Sequence, residues 1–204
     1  GDQRGEDESG ERYRAIVDRV VEEIAKRKKY VILDLHRSNC GSWGEFISGN
    51  LPDMNSLVFW KDIARQFGNH PNVLFGIFNE PFKVSWECWR DGGEVTVEYA
   101  PQNIGNQIMR DESGEPVLKR ITYQAPGMQE MVRTVRAVGA KNIAIVGGLD
   151  WGYELDGIAK GYTIDDCGGN GLMLDSHEYP WKRLDNWDEL VTVVADRYPI
   201  LIGE

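Results

Sequence analysis

An α/β fold built on a parallel sheet is predicted by two features of this chain. Short apolar, β-rich runs alternate with amphipathic helical segments, and the runs are apolar throughout rather than every second residue, as strands covered on both faces are. A third feature extends the prediction to an incomplete (β/α)8 barrel: each run is followed by residues with polar or aromatic chemistry, while the run starts carry nothing comparable.

The elements follow in order. Residues 1–10 read as a polar tail or loop, which leaves residues 11–204 as one partial barrel domain. Tyr13, Ile16, Val17, Val20, Val21 and Ile24 form one stripe of a first helix. The basic cluster from Lys26 to Lys29 suits the negative end of its dipole. Tyr30 to Leu35 is the first strand, and His36 to Gly41 the polar loop behind it. Asn55 is the expected N-cap of a second helix carrying Phe59, Ile63 and Phe67, stopped by Gly68-Asn69-His70-Pro71. Val73 to Phe78 is the next strand and runs into Asn79-Glu80-Pro81.

Residues 81–124 lack a clear period and are expected to form an extended loop with short helical turns. Met128, Met131, Val132 and Val135 mark a third helix closed by Gly139, and residues 143–146 a third strand. Residues 171–176 form a weaker strand. Asn186 and Glu189 suggest a capping box for a helix that buries Trp187, Leu190, Val191 and Val194. Ile200-Leu201-Ile202 is the last strand.

Composition excludes several classes. The chain has 204 residues, 41% of them hydrophobic, which is ample for a buried core. With 23 Lys and Arg against 33 Asp and Glu, the formal charge is −10, which argues against nucleic acid or an anionic membrane as partner. No apolar run approaches the ~18 residues of a membrane span. The acidic first residues have the wrong chemistry for a signal peptide. Cys40, Cys88 and Cys167 are too few for a disulfide scaffold and too scattered for structural zinc, and a Cys40–Cys88 pair is not expected.

Two carboxylates stand out among the strand-end residues. Glu80 and Glu204 each follow a buried apolar strand, where an ionised group is costly without a task. Two carboxylates facing one cleft can divide their work, one protonated and one ionised, which is what glycosidic cleavage requires. His36 and His177 lie at strand ends and read as functional, whereas His70 sits in a turn and reads as structural. Glu178 alternates away from its neighbours and is expected in a salt bridge. Trp43, Trp86, Trp89 and Trp181 fit sugar subsites or a cover over the barrel end equally well.

The stretch Val31 to His36, Phe78-Asn79-Glu80-Pro81, His177-Glu178-Tyr179 and Ile200 to Glu204, together with residues 59–62 before residues 70–73, resembles glycoside hydrolase family 5, the cellulase family, in order and context. The resemblance runs from about Tyr13 to Glu204 and implies strands three to seven of the barrel. It implies a retaining mechanism on a β-glucan such as cellulose, with Glu80 as general acid/base and Glu204 as nucleophile ~5–5.5 Å apart. Asn79 would bind the sugar 2-hydroxyl, and His177 and Tyr179 would shape the cleft and hold the nucleophile. His36 would contact the sugar at the cleavage point. Trp151 and Trp43 would bind substrate by stacking.

No cofactor and no metal are expected. The partner is a polysaccharide or oligosaccharide, neither nucleic acid nor membrane, and the complete protein is expected to be a secreted monomer. A full barrel needs eight strands and ~250 residues, so these residues alone are expected to be a weakly active or inactive part of a longer product. If the chain ended at Glu204, the nucleophile would also carry the α-carboxylate. Two further readings stay open: a metal-dependent barrel hydrolase using Asp34, His36 and His177, and a non-catalytic carbohydrate-binding relative.

Overall fold

The computed structural model describes residues 10–41, 46–102, 107–179, 181 and 186–204. Five strands form one all-parallel sheet: β1 (Val31–Asp34), β2 (Val73–Gly76), β5 (Ala144–Gly147), β6 (Leu172–Ser176) and β7 (Ile200–Ile202), side by side in that order. Apart from an inserted hairpin this is chain order, as expected when each strand is carried to its neighbour by a covering segment. Val31 pairs with Val73, Ala144 with Leu172 and Leu174 with Ile200. All five C-terminal strand ends therefore face the same way.

The expected strands coincide with these five: the last matches in full, the one read at 143–146 lies one residue later, and the other three are shorter by one or two residues. Central strand β5 is buried along its whole length. Edge strand β1 alternates between half-buried and exposed, because only one side of it has a sheet partner.

Helices α2 (Met54–Phe67) and α4 (Met128–Ala137) bury Trp60, Ala64, Phe67, Met131, Val132 and Val135 against the sheet. The indole N–H of Trp60 donates to Ile77 O at 2.9 Å and packs edge-on against Phe75. Burying so large a side chain is favourable only with that N–H satisfied.

Several local expectations are corrected. The N-cap of α2 is Asp53, whose carboxylate accepts the Ser56 N–H at 3.1 Å; Asn55 donates its amide to the same carboxylate. Asn186 makes no side-chain cap bond, α7 (Trp187–Leu190) is one turn followed by a 3-10 turn over Thr192–Val194, and Trp187 stays 41% exposed. Val191 and Val194 are buried as expected. Helix α1 (Glu11–Lys26) buries only Val21 from its stripe, and Tyr13, Ile16 and Val20 remain exposed. It leads into the edge strand, so the described sheet offers its stripe a partial partner only.

The largest correction concerns residues 81–124. They hold helix α3 (Trp86–Asp91), capped by Ser85, and most of an antiparallel hairpin of β3 (Gly92–Tyr99) and β4 (Lys119–Pro126), which ends two residues beyond them. The phenol of Tyr123 on β4 accepts Leu51 N–H at 3.0 Å and donates to Leu51 O at 2.7 Å. The hairpin thereby pins the loop that follows β1. The remaining short helices, α5 (Leu149–Gly152) and α6 (Asp156–Ala159), follow β5. The three cysteines are free. No described helix is long and apolar enough to cross a membrane.

Candidate active site

The site is assembled by backbone bonds that continue the sheet beyond its strands. Past β1 and β2, Leu35 N donates to Gly76 O and Asn79 N to Leu35 O, which fixes Asn79-Glu80 at the sheet end. Past β6, His177 N donates to Gly152 O at 3.2 Å. Gly203 N donates to Ser176 O, and Glu178 N to Glu204 O at 2.9 Å, which ties the end of β7 to the end of β6. Glu80, His177 and Glu204 thus come from three separate strands onto one face.

His177 is the hub. Its side chain is 2% exposed, with Nδ1 3.0 Å from Glu80 Oε1, Nδ1 3.8 Å from Glu204 Oε2 and Nε2 3.4 Å from Asp175 Oδ2. Burial alone would push the imidazole below its ordinary value. The bonds to Asp175 and Glu80 and the Glu204 charge outweigh it and hold the ring protonated, at about 9. The ligand-type atoms of Glu80, His177 and Glu204 lie within 4.8 Å of one another. In its protonated form the imidazole donates from both nitrogens to the carboxylates around it.

Glu204 has a second partner, the phenol of Tyr179, which donates to Oε2 in a short hydrogen bond. That bond, with lesser help from desolvation, pushes Tyr179 up to about 12, so the phenol stays a donor across the neutral range. The Tyr179 ring stacks on Trp181, which is 80% exposed.

The other expected residues are placed as follows. His36 is exposed, and its Nδ1 lies 3.0 Å from Asp34 Oδ2, as their spacing on one strand face implies. Partial burial pushes the Asp34 carboxyl up, and the His36 bond opposes it. Trp151 is 40% exposed and stacks on Phe82, ring centroids 4.9 Å apart, and its backbone N–H donates to the O of Pro81, the residue after Glu80. Trp43 lies outside the described residues, as do residues 1–9 of the tail. His70 packs edge-on against Phe67 and its carbonyl accepts from Asn142, a structural role.

Trp89 is buried and donates to Gly147 O, and Trp86 packs against it, so both cover the barrel end. Glu178 accepts the Ser176 hydroxyl at 2.7 Å instead of meeting a cation among the described residues. Asp34, His36 and His177 do not converge on one point among the described residues, because Asp34 engages His36 and Asp175 engages His177.

Three contributors were not singled out from sequence. Asp175 lies two residues before His177, the same spacing that relates Asp34 to His36, so a signal was present. Phe82 directly follows the Asn79-Glu80-Pro81 stretch. Gly152 supports the His177 ring in a turn where Asp150, Trp151 and Gly152 all have positive φ, which no motif announces.

An incomplete (β/α)8 barrel with a Glu–His–Glu cluster at the C-terminal strand ends has the architecture of a barrel hydrolase. The cellulase family, glycosyl hydrolase family 5, matches residues 2–204, and the chain belongs to that family. It is 33% identical over 193 residues to the endoglucanase MaCel5A of Microbulbifer sp. (strain ALW1), covering 94% of this chain and 30% of that protein. It is 23% identical over 212 residues to an endoglucanase of Paenibacillus polymyxa, covering 93% of this chain and 48% of that one. The chain therefore spans a third to a half of the length of these relatives. In fold it is similar to the β-glucanase SdGluc5_26A of Saccharophagus degradans, with a TM-score of 0.61 and 19% identity over 92% of this chain and 50% of that one. The catalytic domain of the Thermobifida fusca endoglucanase Cel5A gives 0.59, with 17% identity over 95% of this chain and 51% of that one.

Proposed function

We propose that these residues carry the reacting groups of a retaining endo-β-glucanase, with Glu204 as nucleophile and Glu80 as general acid/base. The observation that carries this reading is the meeting of both carboxylates around His177, their oxygens within 4.8 Å. Retaining enzymes need that short spacing, because the nucleophile must touch the anomeric carbon; inverting ones hold their carboxyl groups roughly 6.5–9.5 Å apart to admit a water. Membership of the cellulase family and the endoglucanase relatives support a β-glucan substrate.

The reaction runs in two displacements. A Glu204 carboxylate oxygen attacks the anomeric carbon while the Glu80 proton passes to the departing glycosidic oxygen. Glu80, now a carboxylate, takes a proton from water; the hydroxyl adds to the anomeric carbon and Glu204 is released. Tyr179 holds one Glu204 oxygen, leaving the other for attack. Asn79 binds the 2-hydroxyl, His36 contacts the sugar at the cleavage point, and the Trp151 ring on Phe82 stacks beneath a sugar.

The substrate is a polymer that does not enter cells, so the complete protein is secreted and acts as a monomer. The described sheet has five strands with β1 and β7 at its edges, so turnover by these residues alone is weak. The test is turnover by the full-length protein. Glu204→Gln and Glu80→Gln each lose at least the ~10²–10⁴-fold typical of a lost acid/base group on a glucan. Glu80→Gln keeps the first displacement on an aryl glycoside whose leaving group needs no proton, read as a burst of released aryl alcohol before slow hydrolysis. Wild-type turnover of glucan by either variant contradicts the assignment.

A further inference from the structure

The imidazole of His177 stands between carboxylates on both of its nitrogens. Nδ1 faces Glu80 at 3.0 Å and Nε2 faces Asp175 at 3.4 Å. An ionised carboxylate is an acceptor only, so with Glu80 and Asp175 both ionised each contact is a hydrogen bond only when the facing ring nitrogen carries a proton; when Glu80 holds the catalytic proton on its other oxygen, its carbonyl oxygen is the acceptor that faces Nδ1. Asp175 is built into that position. It lies on the same face of β6 as His177, two residues earlier, and its side chain is 17% exposed. The neighbouring strand leaves room for it at Gly203, where a Cβ would lie 2.5 Å from Asp175 Oδ1. Oδ1 is buried and takes no bond from the described residues, and Oδ2 lies 3.4 Å from His177 Nε2, an ion-pair contact.

We propose that Asp175 is a positioning residue: by taking the Nε2 proton it fixes the ring of His177 so that the Nδ1 proton is presented to Glu80. The proposal deepens the catalytic reading above and rests on it. Carboxylate–imidazole pairs of this kind set which nitrogen carries a proton and where the ring points. The charged groups facing the ring are Asp175 from β6, Glu80 after β2, Glu204 after β7 and, at longer range, Asp34 from β1. From the turn after β5 the nearest group is the Gly152 backbone. Asp175 is the one that grips Nε2, so its removal leaves the ring free to turn and to lose a proton.

The test is the histidine titration, followed by NMR in the full-length protein, alongside the pH profile of kcat/KM. In Asp175→Asn the His177 midpoint falls by at least one pH unit, and the alkaline limb of the profile moves toward neutrality with it. Gly203→Ala reaches the same contact by another route, because its added methyl displaces the Asp175 carboxylate; it shifts the midpoint in the same direction and serves if Asp175→Asn fails to fold. A melting temperature that falls while the His177 midpoint stays in place marks a merely structural residue and overturns the proposal. Glu80→Gln and Glu204→Gln, measured in parallel, separate the two readings. If both are inactive and the Asp175→Asn midpoint is unmoved, the positioning role alone fails. If both retain turnover, the catalytic assignment fails and takes the positioning role with it.

Discussion

The ring of His177 rests on the backbone of Gly152: a Cβ there would lie 3.2 Å from the ring Cγ and 3.3 Å from Nδ1. Gly152 also has φ +76, and the Asp150 and Trp151 before it share the left-handed region. An added methyl group therefore meets both a strained backbone and the hub of the site. Gly152→Ala is expected to lower stability by about 1–2 kcal/mol. It should also lower kcat/KM at least tenfold by tilting the ring away from Glu80. Thermal melts and turnover on a soluble β-glucan check both.

His177 makes stability depend on pH. Its folded value, about 9, stands above the ~6.5 of an unfolded histidine, so folding favours the protonated ring. The stabilisation is complete below pH ~6.5 and is lost as pH rises through about 9, by at most roughly 3 kcal/mol. Denaturant midpoints at pH 6 and pH 9.5 measure it. His177→Asn, which cannot titrate, should flatten most of that difference.

In the proposed mechanism Tyr179 holds the Glu204 carboxylate rather than the substrate. Tyr179→Phe removes the donor to Glu204 while keeping the ring stacked on Trp181. The expected result is a kcat reduced at least tenfold with KM changed little. Trp181→Ala, which removes an exposed ring and leaves the Tyr179 bond, should do the reverse and raise KM. Steady-state kinetics on cello-oligosaccharides separate the two effects.

Arg136 is a buried polar tie outside the site. Its side chain is 5% exposed and meets Asp166 Oδ1 at 2.6 Å, and its guanidinium also donates to the carbonyls of Asn142, Ala140 and Asp166. Arg136→Ala removes the guanidinium from the Asn142 and Ala140 carbonyls, while Asp166 keeps the Gly169 N–H on its carbonyl and the Gly171 N–H on Oδ2. Breaking a fully buried pair costs about 3–5 kcal/mol; Asp166 is 23% exposed, so about 2–4 kcal/mol is expected, with little change in KM. Denaturant unfolding checks the stability term.

The five parallel strands were legible because they read as largely apolar runs, most clearly Ala144 to Gly147, which is buried along its whole length. The hairpin was not. Val95 and Val97 alternate with exposed residues, as do Ile121, Tyr123 and Ala125, but the two halves are separated by residues 100–118, too far for a turn signature to join them. Helix α1 misled for a different reason: periodicity reports an amphipathic face but not whether a partner covers it, and Ile16 and Val20 stay exposed. In the site, Glu80, Glu204, His177 and Tyr179 were readable from their places at strand ends. Asp175 repeats the spacing of Asp34 before His36, a signal that was left unused, whereas Gly152 was not readable, because its role lies in a contact across strands that no local pattern encodes.

The most direct test of the two-carboxylate site is covalent trapping. The full-length protein is incubated with a 2-deoxy-2-fluoro cello-oligosaccharide bearing an activated leaving group, digested, and mapped by mass spectrometry. A glycosyl adduct on the Glu204 side chain, absent in Glu204→Gln, is the predicted result. An adduct on any other residue, or release of the inverted anomer as first product from natural glucan, would contradict it.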